Sequence, residues 1–186
     1  MIRSVGIIEI NSVAVGMEAC DSLLKQARVE ILTAQPMCPG KYMMIVYGDL
    51  ASVTEAVEHV GIRFGGFVTD RTIIGTIDER VVKAIMGCGF DSSLVENKDA
   101  AGIVETFTVT SAIKAADAAV KAANVEIMEI RLAGGMGGKG YVLLSGHVAD
   151  VTAAVEAGAA YAKEEGMLTA TTVIPAPHKD FWQYIV

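Results

Sequence analysis

The sequence predicts an α+β fold made of two tandem β-α-β-β-α-β units. Two observations establish the duplication, and a third gives the fold of each copy. Residues 4–33 align with 100–129 at an offset of 96, and eleven of those thirty positions are identical: Gly6, Ile7, Glu9, Val13, Ala19, Asp21, Lys25, Ala27, Val29, Glu30 and Ile31. Residues 41–58 then align with 139–156 at an offset of 98 with eight identities, and Thr72 and Ile74 match Thr172 and Ile174 at an offset of 100. Within each copy, β-branched runs alternate with segments of helical period in the order of the split βαβ, or ferredoxin-like, arrangement. Two copies make a tandem duplication, since a solenoid needs more repeats. The expected domains are 1–90 and 99–186, joined by a polar, glycine-bearing linker over 87–99 that contains Cys88.

The elements follow in order. Ser4 to Ile10 reads as a strand, and Met17 to Ala27 as a helix with Met17, Cys20, Leu24 and Ala27 on its inner face. On that face Cys20 packs as a small hydrophobe. Val29 to Thr33 is a second strand. Tyr42 to Tyr47 is a third, apolar throughout and so expected to be covered on both faces. A helix over Ala51 to Val60 turns Val53, Ala56, Val57 and Val60 inward. A fourth strand lies within Phe67 to Thr76, and Asp78 caps a short helix reaching Ile85. In the second copy, Ile113, Ala116, Val120 and Ala123 line one helix. Val151, Val155, Gly158, Ala159 and Ala162 line the other, and these small faces permit close packing.

Composition narrows the function classes. A net charge of −7 disfavours a nucleic-acid groove, which needs a basic stripe. Apolar residues make up 52% of the chain, yet no run approaches the ~20 residues that span a bilayer. No basic region followed by an apolar core opens the chain, so a cytoplasmic location is expected. Copies of about ninety residues have limited cores, and self-assembly accounts economically for the high apolar content. The three cysteines, Cys20, Cys38 and Cys88, have no CxxC spacing and do not suggest a disulfide framework. His59, His147 and His178 are scattered, with His59 expected to be solvated, and no HExxH or paired-carboxylate pattern occurs, so an enzyme is not expected.

The copies diverge most in one loop. The first reads Gln35-Pro36-Met37-Cys38-Pro39-Gly40-Lys41, and the second Leu132-Ala133-Gly134-Gly135-Met136-Gly137-Gly138-Lys139. The second contains GxGxxG, but an apolar strand follows it where a dinucleotide fingerprint needs a helix. Its glycines suit a pliant loop whose amides line an opening. In the first loop, prolines restrict the backbone around Cys38, Gly40 permits a sharp turn, and Lys41 would favour the thiolate if the two approach. Cys38 is thus a candidate reactive or metal-ligating residue, with packing as the alternative. Lys25 and Lys121 hold the same place at a helix end, where a cation also suits the helix dipole.

The tandem copies, the segment Asp21-x-x-x-Lys25-x-Ala27-x-Val29 with its twin Asp117-x-x-x-Lys121-x-Ala123-x-Val125, and the ending Val173-Ile174-Pro175-Ala176-Pro177-His178 together resemble bacterial microcompartment shell proteins of the tandem-domain type. Met37 to Lys41 and Gly134 to Lys139 are similar to the loops of the iron–sulfur-bearing trimeric shell proteins of propanediol-utilisation compartments. The resemblance implies a homotrimer of pseudohexameric shape tiling with neighbouring shell proteins into a hexagonal sheet, in the shell of a microcompartment. It implies a central pore lined by Met37, Pro39, Gly40, Gly134, Gly135, Met136, Gly137 and Gly138, and tile-edge roles for Lys25, Lys121 and His178. One Cys38 per chain would bring three thiolates to one 4Fe–4S cluster per trimer, for electron or cluster transfer, with a redox enzyme inside as a further partner. Zinc, or no metal, are the alternatives. Ala176 stands where the family's edge motif often has arginine, and the first copy lacks the proline–histidine motif, so edge contacts here would be weaker or made differently. A metal-free metabolite pore and a small-molecule-binding regulatory trimer are the competing functions.

Overall fold

The computed structural model describes residues 3–87 and 99–184. Cys88 and most of the expected linker lie outside the described residues. The elements are β1 (Ser4–Ile10), α1 (Val13–Gln26), β2 (Glu30–Met37), β3 (Lys41–Gly48), α2 (Leu50–Arg63), β4 (Val68–Ile74), α3 (Glu79–Ile85), β5 (Ala100–Thr106), α4 (Val109–Ala122), β6 (Glu126–Leu132), β7 (Gly140–Gly146), α5 (Val148–Glu164) and β8 (Leu168–Pro175), with a 3₁₀ turn at Trp182–Tyr184. The sheets run β2-β3-β1-β4 and β6-β7-β5-β8, antiparallel throughout, which is the ferredoxin-like order. The repeat alignment is visible in the pairing: Ile7 faces Thr72 as Ile103 faces Thr172, and Val5 faces Ile74 as Ala101 faces Ile174.

The chain divides into two compact units, Met1–Ile77 with Ala133–Gly138, and Asp78–Leu132 with Lys139–Val186. In the first, Ile8, Ile10, Met44 and Val46 of the sheet pack against Ala19, Cys20 and Leu23 of α1 and Val53, Ala56, Val57 and Val60 of α2. All seven residues of β1 are buried, because it is paired on both edges and covered on both faces. Side-chain caps set the helix starts. Ser12, Asp49, Asp78 and Thr108 accept from the amides of Val15, Ser52, Arg80 and Ser111.

Two sequence expectations are corrected. Helix α1 begins at Val13, and its inner stripe is Gly16, Ala19, Cys20, Leu23 and Ala27, while Met17 and Leu24 are exposed. Apolar residues occupy two adjacent stripes, so period alone does not choose between them. Gly16 does, since a Cβ there would lie 2.3 Å from Tyr42 Cβ and the helix sits tightly on β3 through it. Strand β2 also runs past Thr33 to Met37, pairing Ala34, Gln35, Pro36 and Met37 with Met44, Met43, Tyr42 and Lys41. It is an edge strand, where a proline without an amide hydrogen is tolerated.

Helix α3 follows the first copy in sequence, within the span 1–90, and packs on β6 and α4 in the second unit. The Asp78 amide donates to Asp117 Oδ1 at 2.9 Å, and Arg80 donates to the carbonyls of Val120 at 2.8 Å and Val125 at 3.0 Å. These are carbonyls at the C-terminal end of α4 and just beyond it, where helical partners run out.

Two measurements check this packing. Gly16→Ala is expected to cost about 1–3 kcal/mol in urea unfolding. Gly66→Ala, where a Cβ meets nothing within 4 Å, is expected to stay within about 0.5 kcal/mol. The Arg80 hydrogen bond holds the Asp78 carboxyl below the usual carboxylate range, against the opposing effect of burial. A depressed folded value means that this stability is present above the unfolded carboxylate value and is lost as pH falls through the folded one. Urea midpoints of Arg80→Met are therefore expected to fall less than those of wild type on acidification from about pH 5 to about pH 2.

Candidate functional site at the hairpin turn of Cys38

Pairing of Met37 with Lys41 closes β2 and β3 into a hairpin whose turn is Cys38-Pro39-Gly40. The Cys38–Pro39 peptide is cis, and Gly40 takes a φ of 80°, in the left-handed region that glycine adopts without strain. Met37 is buried beneath the turn, and the Cys38 thiol is exposed at its tip.

The matching turn of the second copy, Ala133 to Lys139, connects β6 to β7 and groups with the first unit as far as Gly138. A Cβ on Gly138 would stand 3.2 Å from Pro39 Cδ, 3.4 Å from Cys38 O and 3.5 Å from Lys41 Nζ. Its φ of 93° adds a second reason for glycine. The structure thus brings the glycine loop against the Cys38 turn, with Gly134, Gly135 and Gly137 exposed and Met136 half-buried. Strand β7 follows directly, so the GxGxxG segment opens no helix.

Below the turn lies a pair that sequence reasoning missed. Lys41 Nζ is 3.1 Å from Glu9 Oε2, with the Glu9 side chain wholly buried and that of Lys41 12% exposed. The lysine considered as a promoter of a Cys38 thiolate is engaged by this carboxylate. The second copy repeats the pair as Lys139 and Glu105 at 3.0 Å, with side chains 38% and 28% exposed. Two signals in the sequence were available: a glutamate inside an otherwise apolar strand, and identity at both positions in both copies.

The other expected residues lie elsewhere. Lys25 and Lys121 sit in the last turns of α1 and α4, each 2.5 Å from the aspartate four residues earlier, Asp21 or Asp117. His178 is exposed, 3.6 Å from Asp180. His59 is half-buried and shares a 2.7 Å hydrogen bond with Ser22 Oγ, so it is less solvated than expected. Among the described residues no group of three or more His, Cys, Asp or Glu is placed to hold a metal, and no helix is long and apolar enough to cross a membrane. Within one chain Cys38 supplies a single soft ligand.

The buried pair can be tested by contrast. Breaking a buried ion pair by removing one partner is far more costly than breaking an exposed one, so Lys41→Met is expected to cost about 3–5 kcal/mol. Lys139→Met, at the more exposed pair, is expected to cost about 1 kcal/mol or less. Urea unfolding of the two variants reads the difference.

The BMC domain model matches residues 4–77 and 100–177. The bacterial microcompartment shell protein PduT of Citrobacter freundii is 39% identical over 186 residues, 100% of this chain and 99% of its own length. PduA of the same organism is 46% identical over 83 residues, 45% of this chain and 87% of PduA. Among solved structures, a microcompartment protein from Desulfitobacterium hafniense DCB superposes with a TM-score of 0.86 at 41% identity, covering 98% of this chain and 99% of that one. A fused, permuted hexameric shell protein of the RMM microcompartment shares the fold alone, with a TM-score of 0.63 at 23% identity over 86% of this chain and 81% of that one.

Proposed function

This chain belongs to the BMC-domain family as a tandem-domain microcompartment shell protein, and we propose that it forms a trimeric, pseudohexameric tile whose central opening carries a 4Fe–4S cluster held by Cys38. One observation carries the reading: an exposed thiol at the tip of a short hairpin turn, with the glycine loop packed beside it. A single thiol is insufficient within one chain, and three chains about one axis would supply three. Iron–sulfur clusters of this type normally take four cysteine ligands, which leaves one iron for water or a solute. Bound there, the cluster would supply one-electron chemistry for electron or cluster transfer across the shell, with a redox enzyme inside as the partner.

The protein's own residues have defined parts in this reading. Cys38 Sγ would be the ligand atom. The strand pairing of Met37 with Lys41 fixes the base of the turn, and the buried Glu9–Lys41 pair anchors it. The glycine loop keeps side-chain bulk away from the thiol's side of the opening. Lys25, Lys121 and His178, all on the surface, would meet neighbouring shell proteins at the tile edge. The same three thiolates with water could hold zinc. A metal-free metabolite pore is the reading left if no metal binds. A small-molecule-binding regulator is the least supported, since a strand follows the glycine loop.

Anaerobic reconstitution of wild type and Cys38→Ser, followed by iron and sulfide assay and EPR, decides among these. Wild type is expected to bind about four irons per trimer. Cys38→Ser is expected to bind almost none while keeping the same assembly mass. Zinc at about one per three chains would favour the zinc site, and no metal in either protein would leave the metabolite pore.

A further inference from the structure

The two copies differ sharply in what they leave uncovered. On the first, Met17, Leu24 and Ile31 are 53%, 43% and 38% exposed, a strip spaced seven residues apart with two members on α1 and the third at the start of β2. The repeat places Ile113, Val120 and Ile127 at the matching positions, and these are 0%, 3% and 6% exposed. Helix α3 packs on that part of the second copy, with the Asp78 amide on Asp117 and the Arg80 guanidinium on the carbonyls of Val120 and Val125. On the first copy the matching carboxylate, Asp21, is exposed and paired with Lys25.

A counterpart for this strip exists elsewhere in the chain. The segment after β8 stands in the repeat where α3 stands after β4, and the offset of 100 sets Phe181 at Val81 and Tyr184 at Ala84. Trp182 is anchored on its own copy beside Ala101, Met128 and Leu143. Phe181 and Tyr184 remain 37% and 80% exposed, and Lys179 is exposed next to them. The segment offers aromatic surface and a cation. The strip offers aliphatic surface, a carboxylate, and the negative C-terminal end of α1.

We propose that the strip formed by Met17, Leu24 and Ile31 is the seat for residues 178–184 of a second copy of this chain. There the segment takes the place that α3 takes on the second copy. The contact joins two different surfaces, so it is heterologous and propagates head to tail, as a ring requires. It rests on the reading that the chain self-assembles, and adds which surfaces form the seam.

Light scattering after size exclusion, with circular dichroism as a folding check, tests it first. Wild type is expected as a closed oligomer. Met17→Glu with Leu24→Glu, and separately Phe181→Ser with Tyr184→Ser, are each expected to weaken association at least about tenfold while remaining folded. A direct test that does not depend on either double variant uses a Cys38→Ser background. Chains carrying Leu24→Cys are mixed with chains carrying Tyr184→Cys and oxidised. Bridged pairs of one chain of each kind are expected, and their absence in an oligomeric mixture overturns the proposed seam while leaving self-assembly intact. A monomeric wild type overturns both the seam and the self-assembly reading.

Discussion

Central strand β1 is the constraint on which the first unit depends. It pairs with β3 on one edge and β4 on the other, and every residue in it is buried. A slip of one residue would exchange its two faces, moving Ile8 and Ile10 away from the helices. It would also move Glu9 away from Lys41. A charged residue on such a strand needs a partner in place, so the strand register and the position of the hairpin base are set together.

Most of the fold was legible because the repeat reports on itself. An offset that changes from 96 to 98 across one loop locates an insertion without any structure. Apolar periodicity found α2 and β3 and their inward residues. It was less informative at α1, where two apolar stripes lie side by side, and the choice between them depends on the close approach of Gly16 to Tyr42. Strand β2 was read short because the residues from Gln35 onward, Pro36 among them, were assigned to the loop. The proline's position on an edge strand, which only the strand order reveals, makes it acceptable.

The site was legible in part. Cys38 stood out as the cysteine in the one loop where two otherwise similar copies diverge, and the structure places it at an exposed turn. The adjoining glycine loop was expected only through a family resemblance, because nothing local in sequence says that residues about a hundred apart meet. The Glu9–Lys41 pair escaped notice because only the strand register brings these two residues together, although identity with Glu105 and Lys139 marked both positions.

The duplication itself has a consequence for stoichiometry. Separate genes for a cysteine-bearing and a glycine-bearing subunit would assemble into rings of mixed composition, with the number of thiols varying from ring to ring. Covalent fusion forces the two turn types into a one-to-one ratio in every assembly. In the proposed ring the number of turn thiols would be half the number of domains, and expression levels could not alter it.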